Sequence, residues 1–137
     1  MTGDVKGDAP AVRAAYSMLC KYWESHGQVP RIGEKLEPWL RQTGSFSEVD
    51  VREIIIPVGN RWSTAEAQDP VEGQAVDPKY KALGLTFTDT GRRGFADRGM
   101  LVIGSTPELQ SQCLEQFSTA EWRMDVPLHF VWARKSV

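Results

Sequence analysis

What this chain lacks narrows its function more than what it contains. Among 137 residues there are only two cysteines, Cys20 and Cys113, and only two histidines, His26 and His129. Two cysteines with no nearby paired ligands make neither a zinc site nor a disulfide framework, so both are expected as buried free thiols. Neither a His-x-x-x-His nor an Asp-x-Asp spacing occurs, which argues against metal binding. There is no Gly-x-Ser-x-Gly elbow, so a serine hydrolase is disfavoured. No Gly-rich turn follows a strand and opens a helix. The nearest candidate, Gly91 to Gly99, has the wrong glycine spacing, and no cofactor is expected. No apolar run approaches the ~20 residues that span a bilayer, and the opening MTGDVKGDAP lacks the apolar centre of a secretory signal, so a soluble, cytoplasmic protein without a membrane partner is expected. Nor is charge of one sign in excess. Sixteen basic and eighteen acidic side chains give a net charge of -2, which speaks against a nucleic-acid surface and leaves small molecules or proteins as partners.

What is present is ordinary globular composition, 41% hydrophobic and 25% charged, at a length that makes one domain. Asp8 before Pro10 marks a helix start, and Val12, Ala15, Tyr16, Leu19, Trp23 and His26 recur at helical spacing until Gly27 ends the element. His26 at that end is explained by the helix dipole. A second helix begins near Ile32, but Pro38 should confine its regular part to Glu37–Gly44, with Leu36, Trp39 and Leu40 buried. Val49 to Ile56 is rich in β-branched residues and reads as a strand that Pro57 stops. Gly59 to Pro78 has loop composition and is expected to be flexible. Lys79–Leu85 reads as a short helix. Thr88–Val102 reads as a longer one weakened by Gly91, Gly94 and Gly99, and Ser105 or Thr106 caps another through Phe117. Val126 to Arg134 alternates Leu128, Phe130 and Trp132 against His129, Val131 and Ala133, a second strand antiparallel to the first.

The fold expected is therefore α+β, with several helices on a small two-stranded antiparallel sheet. A lone strand pair is marginal in water and leaves an open edge. Completion by a homodimer or by a separate chain is expected.

Gly44 to Phe46, Pro57 to Gly59, Asp77 to Gly84 and Ala133 to Lys135 match a Gly-Phe turn, a Pro-x-Gly corner, an Asp-Pro-Lys-x-Lys-x-Leu-Gly insert and a closing Ala-Arg-Lys strand. In these pieces the chain resembles the C-terminal part of fungal LaeA-like, class I S-adenosylmethionine (SAM) methyltransferases. The resemblance implies a truncated relative that keeps the substrate-covering half and lacks the SAM-binding half. It also implies that Trp62, Tyr80, Phe87, Phe95 and Met100 inherit the neighbourhood of the acceptor pocket, and that the protein travels with fungal secondary metabolism.

Five tryptophans are many for this length, and with Tyr80, Phe87 and Phe95 they can line an apolar cavity; plain core packing is the alternative for each. Arg92 and Arg93 read either as a carboxylate or carbonyl clamp or as solvated surface. His129, mid-strand among apolar neighbours, reads as an acid, base or donor, or as a structural histidine. Taken together, these readings make Arg92, His129 and Tyr80 the candidate catalytic residues and Trp62, Phe87, Phe95 and Met100 the candidate substrate-binding residues. The function expected is a cofactor-independent cyclase or isomerase of pericyclic type acting on an apolar intermediate. The alternative is a non-catalytic subunit that completes a methyltransferase.

Overall fold

A computed structural model describes residues 5–60 and 78–137 of the chain. The architecture is α+β, with helices on a three-stranded antiparallel sheet in the order β1-β3-β2. β2 (Phe46–Gly59) and β3 (Trp122–Lys135) are long, and they pair along their length from Phe46 opposite Lys135 to Gly59 opposite Arg123. β1 (Lys6–Gly7) is a two-residue strand on the other side of β3, opposite Arg123 and Trp122. It is the one strand that the expected two-stranded sheet did not include, because two residues are too few for a periodic signal.

Both long strands run through a proline, contrary to the expectation that Pro57 would end the first. The ladder's alternation explains this. The N–H of Asn60 reaches across to the Trp122 carbonyl at 3.1 Å, whereas the N–H of Gly59 turns outward to the Thr88 hydroxyl at 2.8 Å. Odd-numbered residues of β2 therefore direct their backbone groups away from β3, and Pro57 stands where no ladder hydrogen bond is donated. Its opposite, Asp125, and the Ile55–Pro127 pair share that phase, so Pro127 is accommodated in the same way.

α1 (Pro10–Ser25) starts with its proline at the first helical position and without a side-chain cap; Asp8 plays no capping role. It ends at Gly27, whose φ of 74° is the left-handed conformation glycine adopts freely. α2 (Ile32–Gln42) contains Pro38 in its interior and is longer than expected. Its first turn is drawn tight by the Ile32 N–H on Val29 and the Glu34 N–H on Arg31. Arg31–Glu34 and Arg41–Glu37 ion pairs, each 2.8 Å, brace both ends. Its half-buried positions Gly33, Leu36, Glu37 and Leu40 follow i, i+3, i+4, i+7. Trp39 lies off that stripe and is 44% exposed, a correction to the expected buried face.

The two helices expected after residue 78 are one uninterrupted helical run. α3 (Pro78–Thr90) passes into a π-helical segment, Gly91–Gly99, and then into α4 (Met100–Val102). The run does not break at its glycines; it widens there, as the Met100 N–H bonding to the Phe95 carbonyl shows. α5 (Pro107–Thr119) opens as expected, with the Thr106 hydroxyl accepting the Leu109 N–H at 3.2 Å, Pro107 in the first turn and Glu108 beside it.

α3 also covers the free edge of β2. Gly84 lies against the Pro57 carbonyl so closely that any side chain there would collide with it, while the Thr88 hydroxyl accepts from Gly59 and donates to the Gly84 carbonyl at 2.7 Å. The core lies between this helix, α1, α5 and the sheet: Val12, Ala15, Ile56, Val58, Met100, Cys113, Phe117 and Trp122 are buried. Trp122 is 1% exposed, packs edge-on against Phe117 with ring centroids 4.9 Å apart, and donates its indole N–H to the Phe117 carbonyl. Cys113 is a buried thiol whose pKa burial pushes up to about 11; Cys20 is half-buried. Of the expected loop, Gly59 and Asn60 belong to the end of the ladder and Pro78 to α3; the remainder lies outside the described residues.

Candidate functional site

The helical spacing of Val12, Ala15, Tyr16, Leu19 and Trp23 puts these side chains on one stripe of α1, and that stripe forms one wall of an apolar cavity of about 350 Å³. The opposite wall comes from the continuous helical run. Phe87, Gly91 and Phe95 recur every four residues across the junction of α3 with the π segment, and the wider π turn keeps them in line. Val58, Trp122, Met124 and Val126 of the sheet close the floor. Gly91 borders the space because it has no side chain to fill it, and its nearest side-chain neighbour is the Phe117 ring.

A second cavity, about 380 Å³, lies between α2 and β3 and has a different chemistry. It shares Tyr16, Pro30 and Val126 with the first, so the two chambers meet around α1 and the turn that leads into α2. Arg31, Glu34 and His129 supply its polar groups. A third, shallower hollow of about 460 Å³ over the Gly27–Pro30 turn shares Trp23 and Pro30 with the apolar chamber.

His129 is the polar centre of the second chamber. Its side chain is 10% exposed, and its Nε2 lies 2.9 Å from Oε2 of Glu53, the residue directly opposite in the ladder. The phase of the ladder makes this a non-hydrogen-bonded pair, in which the two side chains stand closest. The other face of the ring is fixed by Gly33, where a Cβ would come within 2.5 Å of Nδ1. The imidazole is therefore held from two sides, by a carboxylate on Nε2 and by helix backbone beside Nδ1, the arrangement that sets a tautomer and an orientation.

The expected site residues are distributed as follows. Phe87 and Phe95 line the apolar chamber, and His129 lines the polar one. Met100 is fully buried among core residues, and Tyr80 packs half-buried against the same core; neither borders either chamber. Arg92 and Arg93 both pair with Asp89, at 3.2 and 3.0 Å, with side chains 41% and 72% exposed, and also stand apart from the chambers. Trp62 lies outside the described residues. Glu53 and Tyr16 were not foreseen as site residues, and Trp23 was expected only as one of five tryptophans able to line an apolar cavity. The helical stripe already contained Tyr16 and Trp23, but no sequence signal pairs Glu53 with His129 without the strand register. Among the described residues no group of three or more His, Cys, Asp or Glu is placed to hold a metal ion, and no helix is long and apolar enough to cross a membrane.

No family model and no solved structure matches this chain. The sequence is similar to methyltransferase str2 of Strobilurus tenacellus, 27% identical over 130 residues. That alignment covers 93% of this chain and 43% of the relative, so the chain spans less than half the length of the curated protein it matches. The chain is thus methyltransferase-like in sequence along most of its length.

Proposed function

We propose that this protein is a cofactor-independent cyclase or isomerase that binds an apolar secondary-metabolite intermediate in a pocket derived from a methyltransferase acceptor site. The observation that carries the reading is the junction of two unlike chambers. An aromatic and aliphatic one is sized for a small hydrocarbon body, and beside it lies one whose polar centre is a histidine oriented by a carboxylate. An apolar chamber that folds a flexible substrate into its reactive conformer lowers the entropic part of the barrier. The imidazole, held between Glu53 and Gly33, presents a polar edge to the second chamber against which a conjugated carbonyl is oriented while the apolar chamber folds the substrate.

The second reading is a partial subunit that completes a SAM-dependent methyltransferase, and the sequence similarity to a methyltransferase favours it. The decisive experiment is calorimetric titration of the folded protein with SAM and S-adenosylhomocysteine, followed by turnover assays on conjugated polyketide- or terpenoid-like substrates. Turnover without SAM, lowered by His129→Ala and by Phe95→Ala, is the expected result. Micromolar SAM binding together with a requirement for SAM or a partner chain would overturn the cyclase reading and favour the second.

A further inference from the structure

The distal half of the sheet carries a surface that the proposed chemistry does not use. Opposite residues of an antiparallel pair share a face, so Phe130 with Arg52, and Trp132 with Asp50, form a contiguous patch of two aromatic and two charged side chains. Phe130 is 49% exposed and Trp132 is 54% exposed. Asp50 and Arg52 make no side-chain hydrogen bond or ion pair among the described residues. This contrasts with other polar pairs of the sheet, Glu53 with His129, Glu48 with Arg134 and Arg123 with Asp125, each of which is within 4 Å.

The geometry points to a second copy of this chain as the occupant of that face. The patch is self-complementary. The acidic and basic residues are two positions apart on β2, roughly 7 Å, and the aromatic pair lies beside them on β3. A two-fold axis lying across the strands at the patch sets Asp50 of each copy against Arg52 of the other, and Trp132 of each against Phe130 of the other, beside the ion pairs. That is the isologous form a symmetric dimer requires. Aromatic side chains that become desolvated beside paired charges are also the composition of binding hot spots. A partner of one charge sign would satisfy only half of this patch. The interface is separate from both chambers, so the dimer and the proposed activity can fail independently.

Sedimentation equilibrium across a concentration series, on the full chain, tests the assignment. The wild type is expected to dimerise. Trp132→Ala and Asp50→Arg are each expected to weaken the dimer about tenfold or more, and the exchange Asp50→Arg with Arg52→Asp to restore it, because the exchanged pair re-forms across the axis. Circular dichroism and thermal melting confirm that each variant is folded, and the restored double variant excludes general damage. A monomeric wild type overturns the proposal, as does a dimer indifferent to both single substitutions. So does a double variant as weak as Asp50→Arg alone.

Discussion

The two halves of the same strand pair differ more than their sequences do. In the proximal half, Ile54–Gly59 and Trp122–Leu128, the sheet is covered by α1 and α3, and Ile56, Val58 and Trp122 are among the most buried residues of the chain. In the distal half the strands remain paired, with one register shift between Phe46 and Glu48, yet Phe130 and Trp132 are about half exposed. Both halves alternate, and both contain large apolar side chains. Alternation creates two faces, but only the placement of helices decides which stretch of a face becomes core. His129 and Glu53 sit at the boundary between the halves, where burial is sufficient to hold the imidazole and carboxylate in one geometry and a chamber still adjoins them.

Substitutions can break this contrast, the largest effect coming from the covered half. Trp122→Ala removes a fully enclosed ring and its contact with Phe117, and is expected to cost about 3–5 kcal/mol by denaturant unfolding. Trp132→Ala, the same substitution in the open half, is expected to change monomer stability by no more than about 0.5 kcal/mol, measured under conditions where the chain is monomeric. Equal costs at the two positions would mean that the distal face is covered in the monomer after all.

Gly84→Ala tests what holds the covered half closed. A methyl group cannot be placed against the Pro57 carbonyl, so α3 must move off the β2 edge, with an expected loss of about 1–3 kcal/mol and faster hydrogen exchange at Gly59. Unchanged protection at Gly59 would show that α3 is not what covers this edge.

Alkaline pH probes the same core through Cys113. Its native pKa, pushed up to about 11 by burial, exceeds the ordinary thiol value, so the native state holds the proton more tightly than the unfolded chain. The stability contributed by the protonated thiol is fully present below the unfolded value near 9 and is lost as pH rises from there through about 11. Melting curves should show that decline in the wild type and a shallower one in Cys113→Ala.

A small stability effect is also expected at the boundary. Because Glu53 is half exposed, Glu53→Gln should change stability by less than about 1 kcal/mol, yet it should alter the tautomer of His129, visible in ¹⁵N-detected imidazole spectra. An unchanged imidazole spectrum would remove Glu53 from any orienting role.

Much of this architecture was legible in the residues. The apolar stripe of α1, its stop at Gly27 and the Thr106 cap rest on contacts within one or two turns, and they stand where the sequence places them. The two long strands were legible as strands, but not their extent. Whether a proline is tolerated depends on the phase of hydrogen bonding with a neighbour more than sixty residues away, and that phase is set by pairing. The π segment was read as a weakened helix because its three glycines lower helix propensity. What keeps it helical is packing of Ala96 and Met100 into the core. The site was legible in halves: Phe87, Phe95 and His129 could be singled out by type and spacing, whereas Glu53 became visible only through its partner across the ladder.

The sequence by itself determined the class of the protein, an α+β domain without a recognisable dinucleotide turn or metal-ligand spacing, because composition, periodicity and short motifs are local properties of the chain. Tertiary structure alone decided that Pro57 and Pro127 lie inside strands, that one chamber is apolar and its neighbour holds an oriented histidine, and that half of the sheet stays open. Those outcomes depend on register and on which helix covers which face, and both are set by contacts between residues far apart in the chain.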